Sequence, residues 1–375
     1  MIVGCPKEVK DHEYRVGLIP SSVRAYAAAG HTVYIQRGAG EGVGVPDEAY
    51  RAAGAQLLES AEDVWRRSEM IVKVKEPQPS EYVFMRKKLI MYTYFHFAAS
   101  EELTRACLEA GITAVAYETI RDDAGGLPVL KPMSQVAGRM APIVGAYFLA
   151  RHHGGPGILP SGVPGVPPAN VLVIGGGTVG TNAAMIAAGL GAAVTVLDTN
   201  VEVLERIERT MPKNVGPLYS NPENLERALR AADLVIGAVL IPGARAPKLI
   251  TRKMLSIMRP SSVLVDVAID QGGCAETSHP TTHSDPAYVV DGVTHYCVAN
   301  MPGAYASTAS TALNHAALPY GLEIVSKGVE GACLGNPALA HGLNMHRGAV
   351  TCRPVASAFG LDARYMSPGD AVTSL

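Results

Sequence analysis

The sequence predicts an α/β protein in which parallel sheets carry helices on both faces, divided into two domains. Three observations lead there. Short apolar, strand-like runs alternate with helix-like stretches nearly from end to end, the pattern of strands joined by helical crossovers. With 375 residues the chain is long for one core and comfortable for two. Its 39 glycines and 48% hydrophobic residues suit tight turns and close helix–sheet contacts better than a fibrous or disordered chain.

In the first third, strands are expected at 2–5, 31–36, 69–75, 89–96 and 113–117, with helices at 20–29, 47–53, 60–66 and 100–110 between them. A long helix is expected at 134–151, with Pro142 placed to kink it. The segment 153–169, HGGPGILPSGVPGVPPA, is too rich in Gly and Pro to continue a helix or to form a central strand. Strands resume at 170–174, 193–198, 233–237 and 263–269. From about 308 the tail is again largely helical, and local sequence does not say on which domain it packs.

Charge and cysteine usage exclude several classes. Lysine and arginine number 32 against 34 acids, a net charge of −2, with no basic tract, so nucleic acid is not an expected partner. No apolar run reaches membrane-spanning length, and the opening MIVGCPKEVK reads as a strand rather than a leader. A cytoplasmic protein without membrane contact is expected. The six cysteines, at 5, 107, 274, 297, 333 and 352, form neither CxxC nor a zinc-type spacing, so free thiols and no metal are expected.

The strongest local signal is a dinucleotide site over 170–198. Asn170-Val-Leu-Val-Ile174 is a buried-strand run, followed by Gly175-Gly-Gly-Thr-Val-Gly180 and an Ala-rich helix. Gly175 permits the tight turn, Gly177 lets backbone approach a pyrophosphate, and Gly180 lets helix and strand pack closely. Thr178 and Val179 complete the motif, and the Ala-rich helix expected at 181–190 presents the N–H groups of its N-terminus to the phosphates. A second strand ends in Asp198, eighteen residues past the last glycine, where a carboxylate accepts from a ribose 2′-hydroxyl and repels a 2′-phosphate. This favours NAD over NADP.

Ligands of open parallel sheets bind outside the carboxyl ends of the strands. There the sequence places Lys75 before Pro77, His96 at the end of 89–96, and Asp270 before Gln-Gly-Gly, while Arg15 lies in the loop after the first strand. Each alone has an ordinary explanation: a solvated lysine, a packed histidine, a turn aspartate, an arginine paired with Glu8 or Glu13. Together, beside a dinucleotide site, they suggest hydride transfer on a small anion. Arg15 and Lys75 would hold a carboxylate, and His96 would move a proton near neutral pH.

At these residues the chain resembles a known family, the alanine dehydrogenases and the NAD-binding subunit of proton-translocating transhydrogenase. The likeness is carried by PKEVKDHEYRVGLIP (6–20), VKVKEPQPSEY (72–82), TYFHFAASEELT (93–104), LKPMSQVAGRMA (130–141), GVPGVPPANVLVIGGGTVG (162–180), ADLVIGAVLIPGARAPKLI (232–250), VLVDVAIDQGGCAET (263–277) and YCVANMPGA (296–304). The resemblance implies two Rossmann-like doubly wound parallel-sheet domains with an active-site cleft between them. It implies a discontinuous substrate domain, 1–128 and 308–375, around an NAD-binding domain, 129–307.

The implied reaction is the reversible deamination of L-alanine to pyruvate and ammonia with NAD, in a homo-hexamer. Carried over residue by residue, Arg15, Lys75 and Met133 contact substrate, and His96 and Asp270 serve acid–base chemistry. Ser134 contacts phosphate, Asp198 the adenosine ribose, and Val239, Leu240, Asn300 and Met301 surround the nicotinamide. The chain departs from the family at Tyr305-Ala-Ser-Thr-Ala-Ser310, where a basic residue is usual near 307, at Val203, often basic, and at Ala275, often Phe. The alternatives are another NAD-dependent amino-acid dehydrogenase, such as one acting on saccharopine, a transhydrogenase-type subunit without substrate chemistry, and an inactive NAD-binding protein.

Overall fold

A computed structural model describes residues 1–239 and 246–374. They form two compact units, Met1–Met133 with Gly303–Leu375, and Ser134–Pro302.

Six strands of the first unit, β1 (Ile2–Cys5), β2 (Thr32–Gln36), β3 (Gln56–Leu58), β4 (Met70–Val72), β5 (Ile90–Thr93) and β6 (Thr113–Ala116), pair in parallel in the order β3-β2-β1-β4-β5-β6. The helices between them start and stop where local chemistry dictates. Ser60 caps Ala61–Arg67 by accepting from Asp63 N–H, and Ser100 caps Glu101–Ala110 by accepting from Leu103 N–H. Gly111 closes the second helix in the left-handed region, φ 67°. β4 is shorter than the expected 69–75, because at Val74 the N–H turns to the Glu8 carboxylate (2.6 Å). Cross-strand bonds nevertheless run on, from Lys73 N–H to Tyr92 O and from Tyr94 N–H to Val74 O.

The second unit holds β7 (Asn170–Ile174), β8 (Ala193–Asp198), β9 (Val215–Tyr219), β10 (Leu234–Gly237), β11 (Val263–Asp266), β12 (Ala287–Val290) and β13 (Val293–Tyr296). Their order is β12-β13-β11-β10-β7-β8-β9, parallel except for β12 at the edge. Apart from β12, this repeats the order of the first unit. Each sheet therefore has one switch point, between β1 and β4 in the first and between β7 and β10 in the second, and such a point is where a doubly wound sheet opens a crevice for ligand.

The helix Lys131–Phe148 carries the boundary between the units and contains Pro142. A side chain at Gly138 would lie 2.3 Å from Val179 O, so this glycine lets the helix touch the turn after β7. The Gly/Pro segment that follows has only the isolated bridge between Val163 and Val166.

The tail returns to the first unit. The helix Ala306–Gly335 is fixed there by Ser310, whose hydroxyl accepts from Val16 N–H (3.1 Å), and Asn314, which accepts from Ile19 N–H (3.1 Å). A hairpin, β14 (Leu343–His346) and β15 (Ala349–Val350), then extends the sheet antiparallel beyond β6. Among the described residues no helix is long and apolar enough to cross a membrane, and no cluster of His, Cys, Asp and Glu could hold a metal ion.

Candidate active site

In the second unit the glycine turn follows β7 at the switch point. Gly175 has φ +100°, open only to glycine at little cost, and donates to Leu197 O. A Cβ at Gly180 would lie 1.7 Å from Gly175 O, whereas one at Gly177 would meet nothing within 4 Å. The third glycine is thus spent on internal packing and the second leaves open space over the turn. Gly177 caps the helix Thr178–Gly189, whose first turn includes Thr178, Val179 and Gly180. The N–H groups of that turn have no helical carbonyl behind them and suit an anion. Val239 lies past β10, with Cγ1 3.3 Å from where a Gly175 Cβ would stand. Leu240 lies outside the described residues.

Asp198 ends β8 half-buried, and backbone holds both its oxygens. Oδ2 accepts from Gly176 N–H (2.7 Å) and Oδ1 from Asn200 N–H (2.8 Å). Gly176, unmarked by the glycine motif, is constrained as well: a Cβ there would stand 2.5 Å from Val203 Cγ1. Val203 is packing beneath the turn. One helical turn on, exposed Arg206 donates to Gly176 O (2.9 Å), so a cation still reaches this corner.

Asp270 is exposed on the 3₁₀ turn Val267–Gln271, beyond β11, which ends at Asp266 rather than at the expected 269. The chain turns early because the Asp266 side chain accepts from Ala268 N–H (3.2 Å), replacing strand pairing with a local cap. Asn300, at φ +69°, donates its N–H to Asp270 Oδ1 (3.4 Å). Met301 is buried in the core of this unit, and Ser134 is half-buried on the long helix.

In the first unit, Arg15 and Lys75 follow β1 and β4, one on each side of the switch point, and His96 follows the neighbouring β5. Arg15 is 3% exposed. Of the two carboxylates the sequence offered it, it takes Glu13, with Nε–Oε1 at 2.7 Å and Nη2–Oε2 at 2.5 Å. Burial opposes the guanidinium charge, but these bonds outweigh it and hold its pKa above the ordinary arginine value. Nη1 meets Met133 Sδ at 3.2 Å, so two of the expected substrate contacts touch each other.

Lys75 is 9% exposed, with Nζ 3.9 Å from Glu76. Lys73, two residues before it, is wholly buried between Glu81 (2.9 Å) and Glu8 (3.0 Å). Burial opposes its charge, yet Glu8 and then Glu81 keep the ammonium above the usual lysine range. Glu8 also accepts the N–H of Val74 and, at 3.4 Å, that of Lys75. A three-residue ionic core therefore anchors the backbone carrying Lys75. Glu8 reaches Lys73 only through the fold, since the two are far apart in sequence.

His96 is exposed and left-handed (φ 50°, ψ 42°), an uncommon state for a residue with a Cβ. Glu118 holds it there, accepting the N–H of His96 at 2.7 Å and of Phe95 at 3.3 Å. The imidazole stacks on Tyr94 (centroids 5.9 Å apart, planes at 10°), whose hydroxyl donates to Val129 O. No sequence signal marked Glu118, because its partners are backbone groups. All six cysteines are unpaired, and Cys5 is so buried that its thiol is pushed up to about 12.

Two sheets of one strand order, one with a glycine turn and ribose-type acid, the other with buried cations at its switch point, define an oxidoreductase of the dehydrogenase class. The chain belongs to the alanine dehydrogenase/PNT family: its N-terminal domain model matches residues 4–137 and its C-terminal domain model 141–353. The chain is 54% identical to an alanine dehydrogenase of Halomonas elongata, over 96% of this chain and 98% of that one. It is 50% identical to one of Bacillus subtilis, over 96% of each. A solved L-alanine dehydrogenase superposes with a TM-score of 0.92 at 50% identity, covering 96% of this chain and 99% of the other. A transhydrogenase from Sinorhizobium meliloti superposes with a TM-score of 0.80 at 27% identity, covering 93% and 100%.

Proposed function

We propose that the chain is an NAD-dependent L-alanine dehydrogenase, converting L-alanine and water reversibly to pyruvate and ammonia. The observation that carries this is identity of about half, over nearly the whole chain, to proteins named alanine dehydrogenase, in a sequence that has Arg15, Lys75, His96 and Asp270 after its strands. The NAD assignment is supported by fit. The turn leaves space over Gly177, the helix behind it offers N–H groups, and the Asp198 carboxylate lies beside Gly176, a poor setting for a 2′-phosphate. Residues 134–302 are the proposed cofactor domain, with Ser134, Val239, Asn300 and Met301 contributing, and the remaining chain the substrate domain.

When bound, the nicotinamide supplies hydride to C2 in amination and accepts it in deamination. The rest falls to the chain. Arg15, pre-oriented by Glu13, pairs with the pyruvate carboxylate while Met133 packs on the small side chain. Lys75 donates to the carbonyl oxygen and makes C2 more electrophilic. Ammonia adds to C2. The C–O bond left from the carbonyl then breaks as His96 and Asp270 deliver protons to its oxygen, which departs as water and leaves an iminium ion for reduction. A homo-hexamer in the cytoplasm completes the proposal and is supported by family membership.

The test is alanine-dependent reduction of NAD by the purified chain without membranes. Turnover with alanine above other amino acids is the expected result. NADH binding without turnover would favour a transhydrogenase-type subunit, and preference for a larger amino acid would favour another dehydrogenase of the superfamily.

A further inference from the structure

We propose that Asp266 is a positioning residue, a buried carboxylate that clamps both ends of the loop presenting Asp270. The proposal rests on the reading of Asp270 as an acid–base group and deepens it. Asp266 is the last residue of β11 and is 0% exposed. Four donors converge on it. Oδ1 accepts from Ala268 N–H at 3.2 Å, at the start of the loop. Oδ2 accepts from Cys274 N–H (2.8 Å), Ala275 N–H (3.3 Å) and the Ser278 hydroxyl (2.6 Å), all on the returning side. A carboxylate out of water is costly unless its lone pairs are filled, and these dipoles fill them.

The loop between these anchors explains the Gln-Gly-Gly run, which cofactor and substrate contacts leave unused. Gly272 and Gly273 both have positive φ, +92° and +77°, so the chain can reverse directly behind Asp270. Their N–H groups return to Ile269 O (2.8 Å) and Ala268 O (3.0 Å). A side chain at Gly273 would stand 2.7 Å from Asp266 Oδ2, and one at Gly237 would stand 3.0 Å from Oδ1 and 2.4 Å from Cys274 Sγ. Lys248 ties the outer side through Gly272 O and Ala275 O. Asp270, exposed on this turn, is thus placed by a side chain four residues earlier.

Asparagine in place of Asp266 keeps the shape but reverses part of the chemistry. Its amide NH₂ would face either the three donors on Oδ2 or the Ala268 N–H, and a donor facing a donor opens the clamp. Loss of placement by about 1 Å at a reacting group is worth on the order of a hundredfold in rate. Asp266→Asn is therefore expected to lower kcat for amination thirtyfold or more, to leave the NADH dissociation constant within threefold, and to keep a cooperative melt. If Asp266 acts through Asp270, the effects do not add, and Asp266→Asn in an Asp270→Asn background costs less than threefold of the residual rate.

Ser278→Ala, which removes one of the four donors, is the milder variant, expected to fold and to lose kcat three- to tenfold. The proposal is overturned if Asp266→Asn keeps kcat within threefold of wild type, or if it costs as much without Asp270 as with it. It is overturned too if Asp266→Asn fails to fold while Ser278→Ala has wild-type kcat. Near-normal turnover of Asp270→Asn alone would remove Asp270 from the mechanism. A dead Asp270→Asn beside a normal Asp266→Asn would remove only the clamp.

Discussion

Replacing Lys73 by Met probes the ionic core under Lys75. The ammonium lies 2.9 Å from Glu81 and 3.0 Å from Glu8, with side-chain exposures of 0%, 3% and 2%. Methionine fills most of the volume but leaves two buried carboxylates without their cation. Removing one member of a buried ion pair costs about 3–5 kcal/mol, and two stranded like charges place the expected loss near the upper end. At roughly 2–4 °C per kcal/mol for a unit of about 200 residues, its melting temperature falls by roughly 6–20 °C.

The loss depends on pH, with a definite sign. Burial already holds the Glu8 carboxyl above its ordinary value, with Lys73 the chief opposing influence, so removing Lys73 raises it further. A carboxyl raised by folding binds its proton more tightly folded than unfolded. The penalty is thus complete above the folded pKa and fades as pH falls toward the ordinary range, about 4.3. Calorimetric melts at pH 8 and pH 5 should show the larger deficit at pH 8. Adding Glu8→Gln should recover more than half of it. A deficit under about 1 kcal/mol, against the roughly 3–5 kcal/mol of a broken buried pair, would refute the reasoning. So would a deficit equal at the two pH values.

Three other outcomes follow from the geometry. Gly180→Ala puts a methyl 1.7 Å from Gly175 O, so soluble protein should lose NADH binding by at least tenfold in a fluorescence titration. Arg206→Ala removes the cation on Gly176 O, and the NADH KM should rise a few-fold with kcat unchanged, read from initial rates. Glu118→Gln keeps one acceptor but turns an amide donor toward the N–H groups of Phe95 and His96; steady-state kinetics should show turnover down tenfold or more with NADH affinity retained.

Much of the fold was legible because its signals are local. The apolar run 170–174, the caps Ser60 and Ser100, and the turn glycines each act within a few residues, and β7 and the capped helices stand where the sequence put them. Strands β3, β9, β12, β13, β14 and β15 were not anticipated. β3, β9 and β12 lie at sheet edges, exposed in part, and β9 contains Pro217, tolerated only where a strand has an open side. β14 sits inside a tail that otherwise reads as helix, and it becomes a strand by pairing with β6, far back in the chain.

The same division runs through the candidate site. The sequence alone determined which residue types stand after which strands: Arg15, Lys75, His96, Asp198 and Asp270, and the glycines of the turn after β7. Only the tertiary structure decided the strand order that sets Arg15 and Lys75 on either side of a switch point, and the bonds to Ser310 and Asn314 that fix the tail helix to the first unit. It also chose Glu13 over Glu8 for Arg15, and gave Glu8 to Lys73 and to the backbone of Val74. The reason is physical. Helix and turn preferences are set by near neighbours. The partner of a buried charge is set by whichever distant group the folded chain brings within 3 Å in the absence of water.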